Sequence, residues 1–139
     1  MSVNNVMKRI ASGLEKITTE TIPSEVLNIA KSSIIDTCGV AIAGSNTPSA
    51  KKIHAVVAES FRDGNCTVLG NDITLNVFGA AVANGASAHA LDFDDNCYAG
   101  IVHGSAVVLP AVLAVAQDNS SSGKKLLTSF IAGLEAQFA

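Results

Sequence analysis

Thr74-Leu75-Asn76-Val77-Phe78-Gly79-Ala80-Ala81-Val82-Ala83-Asn84-Gly85-Ala86-Ser87-Ala88-His89-Ala90 is built mostly of Ala, Gly, Ser and Asn and carries no formal charge. Small side chains let a neighbouring backbone approach closely, and a helix without a polar side must be covered all round. The run therefore predicts a buried helix from Thr74 to about Ala90, with other helices packed around it. The flanking sequence supplies them. Val3, Val6, Met7, Ile10, Leu14 and Ile17 recur at helical spacing and predict a helix over 3–17. Pro23 sits where a first helical turn tolerates proline, and Val26, Ile29, Ala30, Ile34, Cys38 and Ala41 extend a second stripe to Gly44. A third helix spans Ser49 to Phe61, with Ile53, Val57 and Phe61 on one face.

Beyond the buried run, a helix is predicted from about Ser105 to Gln117, with Pro110 kinking it or lying in its first turns. A last helix carries Leu127, Ile131, Leu134 and Phe138 on one side. Cys66-Thr67-Val68-Leu69 is the only strand-like run, and it is too short and solitary to build a sheet. The expected fold is all-α, about six helices with at most one short strand. The apolar stripe continues to the final residue, and nearly every helix has an apolar face, so the 139 residues are expected to be part of a larger helical domain.

Composition narrows the function classes. The sequence is 48% hydrophobic and 15% charged, well below the roughly 25% charged of an average soluble domain, which argues against disorder. Net charge is −3, and Lys8-Arg9, Lys51-Lys52 and Lys124-Lys125 lie far apart, so no phosphate-binding stripe exists and nucleic acid is not an expected partner. The three cysteines, Cys38, Cys66 and Cys97, are odd in number and widely spaced. That does not support a disulfide framework or zinc knuckle and fits a reducing, cytoplasmic compartment better. No apolar leader opens the chain; Met7-Lys8-Arg9-Ile10 leaves the mitochondrial matrix open, against which Glu15 and Glu20 speak. The uncharged stretches 73–91 and 96–117 approach the ~20 residues of a membrane span. Asn76, Asn84 and His89 in the first, and His103, Gly104 and Pro110 in the second, suit packing inside protein, so no span is expected.

The chemistry concentrates in His89-Ala90-Leu91-Asp92-Phe93-Asp94-Asp95-Asn96, where three carboxylates and an imidazole stand between apolar helices. Carboxylates are rarely buried unless paired, so the cluster faces a cavity or sits at a helix end; Asp94-Asp95-Asn96 is also good loop and N-cap material. His103 follows, just before a helix start, where backbone N–H groups and the dipole favour anions. An imidazole there can donate a proton or meet a carboxylate, although a lone histidine in an apolar run is more often a hydrogen-bonded core residue. His89, Asp92, Asp94, Asp95 and His103 together are also an oxygen-rich set of the kind that suits Mg or Mn. Cys97 reads as a buried thiol rather than a nucleophile.

Taken in order, Asn84-Gly85, His89-Ala90-Leu91-Asp92-Phe93-Asp94-Asp95, His103-Gly104-Ser105 and Val108-Leu109-Pro110-Ala111 resemble the signature of the MmgE/PrpD family. Ile22-Pro23, Asp36-Thr37-Cys38-Gly39, Ala43-Gly44 and Gly133-Leu134-Glu135 extend the resemblance over nearly the whole chain. It implies a large helical domain followed by a smaller α/β lid domain, homodimers, and dehydration, decarboxylation or epimerisation of small di- and tricarboxylates such as 2-methylcitrate or cis-aconitate. It implies neither a cofactor nor a metal. Carried over by position, Asp92 and His103 are the implied catalytic residues, with Asn96, His89 and Ser105 implied to bind substrate. Asn96 stands where the decarboxylase has Thr, and one extra residue precedes His103, so the exact substrate stays open. The resemblance places further cationic residues and the lid beyond residue 139; the chain is expected to hold the N-terminal helical segment alone, with little or no lyase activity by itself. A truncated, non-catalytic paralogue that associates with itself or with a full-length relative is the alternative.

Overall fold

The computed structural model describes residues 3–98, 100 and 102–138. In chain order the elements are α1 (Val3–Leu14), α2 (Ser24–Gly44), α3 (Pro48–Ser60), β1 (Cys66–Thr67), β2 (Thr74–Leu75), α4 (Val77–His89), α5 (Gly104–Asp118) and α6 (Gly123–Phe138). The all-α expectation holds: among the described residues there are six helices and one two-stranded ribbon.

The small-residue run is the centre of the molecule. α4 packs against α5, α2 and α3, and Ala80, Ala83, Ser87 and Ala88 lose all contact with solvent. The approach is at backbone distance. A Cβ at Gly44, the last residue of α2, would collide with the Ser87 carbonyl, and one at Gly133 in α6 would come within 2.5 Å of a Val108 methyl in α5. A second cluster joins α2, α5 and α6 through Ala30, Leu109, Phe130 and Ile131. Each large side chain buried there contributes roughly 1.5–3 kcal/mol.

The elements differ from the sequence expectation at several ends. α1 stops at Leu14 rather than Ile17, because the chain tightens into i−3 bonds from Lys16 to Gly13 and from Ile17 to Leu14. Ile17 still packs on the α2–α5–α6 cluster. Pro23 is the cap residue of α2 rather than part of its first turn, whereas Pro48 does open α3, behind a Thr47 hydroxyl that accepts from the Ala50 N–H. Pro110 lies inside α5, past its first turn, so the Ala106 carbonyl lacks its usual N–H partner.

The expectation that Cys66–Leu69 stands alone is corrected. Thr74 and Leu75, assigned by sequence to the buried helix, form an antiparallel pair with it, Cys66 opposite Leu75 and Thr67 opposite Thr74. The physical cause is Asn76. Its side chain accepts from the Gly79 N–H at 3.1 Å and caps α4, so the helix cannot begin before Val77 and the preceding residues stay extended. Gly70, at φ +76°, turns the ribbon. Asn84 then ties it to α4: its carbonyl accepts from the Leu69 N–H at 2.8 Å and its amide donates to the Thr67 carbonyl at 2.9 Å.

α2 is 21 residues long and, among the described residues, the one helix long and apolar enough to cross a membrane by length and composition. Neither stretch weighed for that role in the sequence forms one; one breaks into ribbon and α4, the other into loop and α5. α2 packs on α4, α5 and α6, and leaves Ile29, Ile35 and Ile42 exposed on its far side.

Between α4 and α5 the chain turns sharply at Asp92, whose φ of 55° lies in the left-handed region. Aspartate and asparagine tolerate it better than most residues, and alanine does so at a cost of about 1 kcal/mol. Asp92→Ala is accordingly expected to lower unfolding free energy by about 1 kcal/mol, with Asp92→Asn and Asp92→Gly unaffected or nearly so, in urea titrations. Asn84→Ala, which leaves two ribbon backbone groups without partners, is expected to cost about 2–4 kcal/mol in the same measurement.

Candidate functional site

His89 is the last residue of α4, and His103 occupies the cap position of α5. The loop between them folds back through a bridge in which the Cys97 N–H donates to the Val102 carbonyl at 2.8 Å. The two imidazoles, far apart along the chain, thus meet edge to face with centroids 4.6 Å apart. What holds them is Asp94. Its side chain has no solvent exposure, and both rings meet it through Nδ1: His89 Nδ1 lies 3.1 Å from Oδ1 and 3.3 Å from Oδ2, and His103 Nδ1 lies 2.9 Å from Oδ2. A buried carboxylate is costly unless its lone pairs are met, and here two ring N–H groups meet them.

Asp95 does a different job. The cap position of α5 carries no side-chain cap of its own. Instead the Ser105 N–H donates to Asp95 Oδ1 at 2.8 Å and the Ser105 hydroxyl donates to Oδ2. The carboxylate sits at the positive end of α5, where a negative charge is favoured. The two readings of the acidic run, cavity and helix cap, are therefore divided between neighbours: Asp94 turns to the imidazoles and Asp95 caps.

A cleft of about 620 Å³ opens beside the histidines. α4 supplies Ala81, Val82 and Gly85, α5 supplies Ala106, Val107, Pro110 and Ala111, and His89, His103 and Val102 form the polar end. Its shape comes from the same small residues that let the helices touch: a Cβ on Gly85 would lie 3.7 Å from the Ala106 carbonyl and 3.9 Å from the Pro110 ring. None of the described lining side chains is Lys or Arg. Arg62, the one such residue between Lys52 and Lys124, donates instead to the Ala58 carbonyl at 2.6 Å, at the end of α3.

Of the residues singled out in the sequence, His89 and His103 line this cleft. Asp92 is exposed, and a carboxylate oxygen of it comes within 4.8 Å of ligand atoms from His89, Asp94 and His103. Those four could hold a divalent cation, but a metal at either Nδ1 must displace the hydrogen bond to Asp94. Asn96 is exposed and is not among the cleft residues. Ser105 is fully buried and occupied by Asp95. Cys97 is half-buried; burial pushes the Cys38 and Cys66 thiols up, with the Asp118 charge adding to the effect at Cys66. Sequence reasoning gave Asp94 no role beyond loop or metal ligand, because spacing alone does not say which of three nearby carboxylates turns inward.

His54 was not singled out at all. It is buried between α3 and α4, with Nε2 2.8 Å from the Ser87 hydroxyl and Nδ1 3.4 Å from the Asn71 amide, and serves packing.

The family model of the MmgE/PrpD N-terminal domain matches residues 8–139. A cis-aconitate decarboxylase-like protein of Aspergillus oryzae is 28% identical over 131 residues, covering 94% of this chain and 27% of its own length. The cis-aconitate decarboxylase of Aspergillus terreus is 30% identical over 123 residues, 88% of this chain and 25% of its own. That of Mus musculus is 28% identical over 142 residues, 99% and 29% respectively. The chain thus spans between a quarter and a third of the length of these relatives. No solved structure matches it. With a family model covering nearly every residue, the chain belongs to the MmgE/PrpD family.

Proposed function

We propose that this chain forms one wall of a lyase site that takes a small di- or tricarboxylate such as cis-aconitate or 2-methylcitrate. The observation that carries the reading is the paired imidazoles at the polar end of an apolar cleft, in a chain whose relatives include cis-aconitate decarboxylases. Elimination of water or CO2 beside carboxylates needs a group to hold an anion and a group to move a proton at carbon. His103, at the N-terminal end of α5, can do the first when protonated, assisted by the helix dipole. Asp92, exposed at the turn and close to both rings, can orient the substrate or carry the proton.

Stabilising a polyanion in the transition state also takes fixed positive charge. The described cleft residues bring only imidazoles, so binding without turnover is expected of the 139-residue chain. Three unpaired thiols support a reducing compartment, cytosol or mitochondrial matrix.

The apolar side chains left outside favour a second reading that can accompany the first, association with another copy or a longer relative. Ile35 on α2 and Phe78 on α4 are each 73% exposed, and Val82 and Val107 beside the cleft are more than half exposed.

Titrating cis-aconitate into the labelled chain is expected to move the His89, His103 and Val102 resonances, with an affinity of roughly millimolar, about −4 kcal/mol. His103→Ala should weaken it about tenfold, the loss of one charge-assisted hydrogen bond of about 1.5 kcal/mol. Release of CO2 from cis-aconitate should stay at background. Perturbations scattered away from the cleft, or none, refute the site. For association, sedimentation velocity is expected to give dimers or larger species; a monomer that unfolds cooperatively counts against it.

A further inference from the structure

We infer that Asp94 is a positioning residue for two imidazoles at once, fixing His89 and His103 in the Nδ1–H tautomer so that two unprotonated Nε2 atoms face the same cleft. The use of those atoms on a substrate rests on the lyase reading above; the tautomers do not.

The argument starts from what Asp94 can accept. A carboxylate offers only lone pairs, so a ring nitrogen within hydrogen-bond distance of it must carry the proton. Both close nitrogens are Nδ1, at 3.1 Å in His89 and 2.9 Å in His103. Each neutral ring then has its lone pair at Nε2. A free imidazole in water prefers the opposite form, so two such rings side by side need a cause, and one buried carboxylate that both rings meet supplies it. Among the described residues, no protein group bonds either Nε2. The side chains remain 56% and 31% exposed, and both rings line the cleft while the Asp94 side chain behind them is sealed from solvent. Each Nε2 thus lacks a protein partner among the described residues, on a ring that lines the cleft. In this arrangement His89 stands on the same footing as His103: each can take a proton at Nε2, and each can then donate it to an oxygen in the cleft.

The third histidine provides an internal contrast. The Asn71 amide donates to Nδ1 of His54, so the proton of that ring lies on Nε2, directed at the Ser87 hydroxyl and the Ala83 carbonyl at 2.8 and 3.2 Å. The chain has three histidines in all. The geometry thus assigns the complete set: two Nδ1–H rings at the site, one Nε2–H ring in the core. A cation bound through Nδ1 by His89, Asp92, Asp94 and His103 would demand the reverse at the site, with the protons on Nε2.

Long-range ¹H–¹⁵N correlation spectra of the 139-residue chain, at a pH where the rings are neutral and with EDTA present, read this directly. Two histidines are expected with the unprotonated, downfield nitrogen at Nε2 and one with it at Nδ1. Asp94→Asn presents one carbonyl and one amide, so one of the two site rings should switch to Nε2–H; Asp94→Leu should release both. The His54 pattern should not change in either variant, which shows that the core is intact, and a purely structural role for Asp94 would leave the tautomers alone in the Asn variant. Nε2–H at His89 and His103 in the parent chain overturns the inference, as does an Asp94→Asn spectrum identical to the parent with His54 unchanged. If Asp94→Asn unfolds the chain, the parent spectrum alone decides. Because no substrate is present, a negative result here leaves the dicarboxylate reading standing, and a failed cis-aconitate titration leaves the tautomers standing.

Discussion

The structure depends on α4 being thin enough for its backbone to lie against that of its neighbours. Dense packing leaves no tolerance for an extra methyl at such contacts. Gly44 meets the Ser87 carbonyl, Gly79 meets Phe61, and Ala80, Ala83 and Ala88 have no exposure at all. Close helices bury few large side chains, so the stability of this region rests on many small contacts rather than on a few large ones. It also leaves polar backbone groups near one another, and α4 answers with its own polar side chains. Asn84 serves the ribbon, and Ser87 serves His54 while donating to the Ala83 carbonyl.

From that crossing follows the location of the site. α4 ends and α5 begins beside each other, so the C-terminal residue of one and the cap residue of the other face across a short loop. A histidine at a helix C-terminus and an aspartate at a helix N-terminus each sit at the end whose dipole suits them. His89 and Asp95 are so placed. Asp94 directly precedes Asp95; Asp95 turns to Ser105, and the Asp94 carboxylate points inward to the rings.

Much of this was legible in the sequence, and the limits have physical reasons. Long apolar periodicities gave α2 and α3 to within a residue or two and marked the apolar side of α6, because burial of one helical face leaves a regular trace. The ribbon left a trace for its first strand alone: Cys66–Leu69 reads as strand-like, but two residues per strand cannot show an alternation, and the pairing follows from Asn76 capping a helix and Asn84 reaching across. At the site, the residue types were readable and their division of labour was not. His103 before a helix start and a run of carboxylates indicated polar chemistry, but Ser105 as a buried donor to Asp95, and Asp94 as the common acceptor of two rings, depend on how the loop between α4 and α5 closes. Cys97 and Val102 close it through backbone atoms, which leave no sequence signal.

The division of labour also bears on how a cleft with so few charges could serve the carboxylate chemistry proposed above. An imidazole whose Nδ1–H is held by a buried carboxylate presents a single, directed nitrogen, neutral when it accepts a proton and cationic once it has. Lysines lining the same wall would attract a polyanion more strongly, yet they would attract substrate and transition state alike, and uniform binding does not accelerate the chemical step. A wall of two oriented imidazoles set in Ala, Val and Pro side chains instead offers positive charge only as a proton arrives, next to apolar surface that sheds water. On the proposed lyase reading, the permanent charge that binds substrate and the proton that moves during reaction are best carried by separate groups, and the cleft described here, without Lys or Arg among its described lining, would bring imidazoles and Asp92 to the second task.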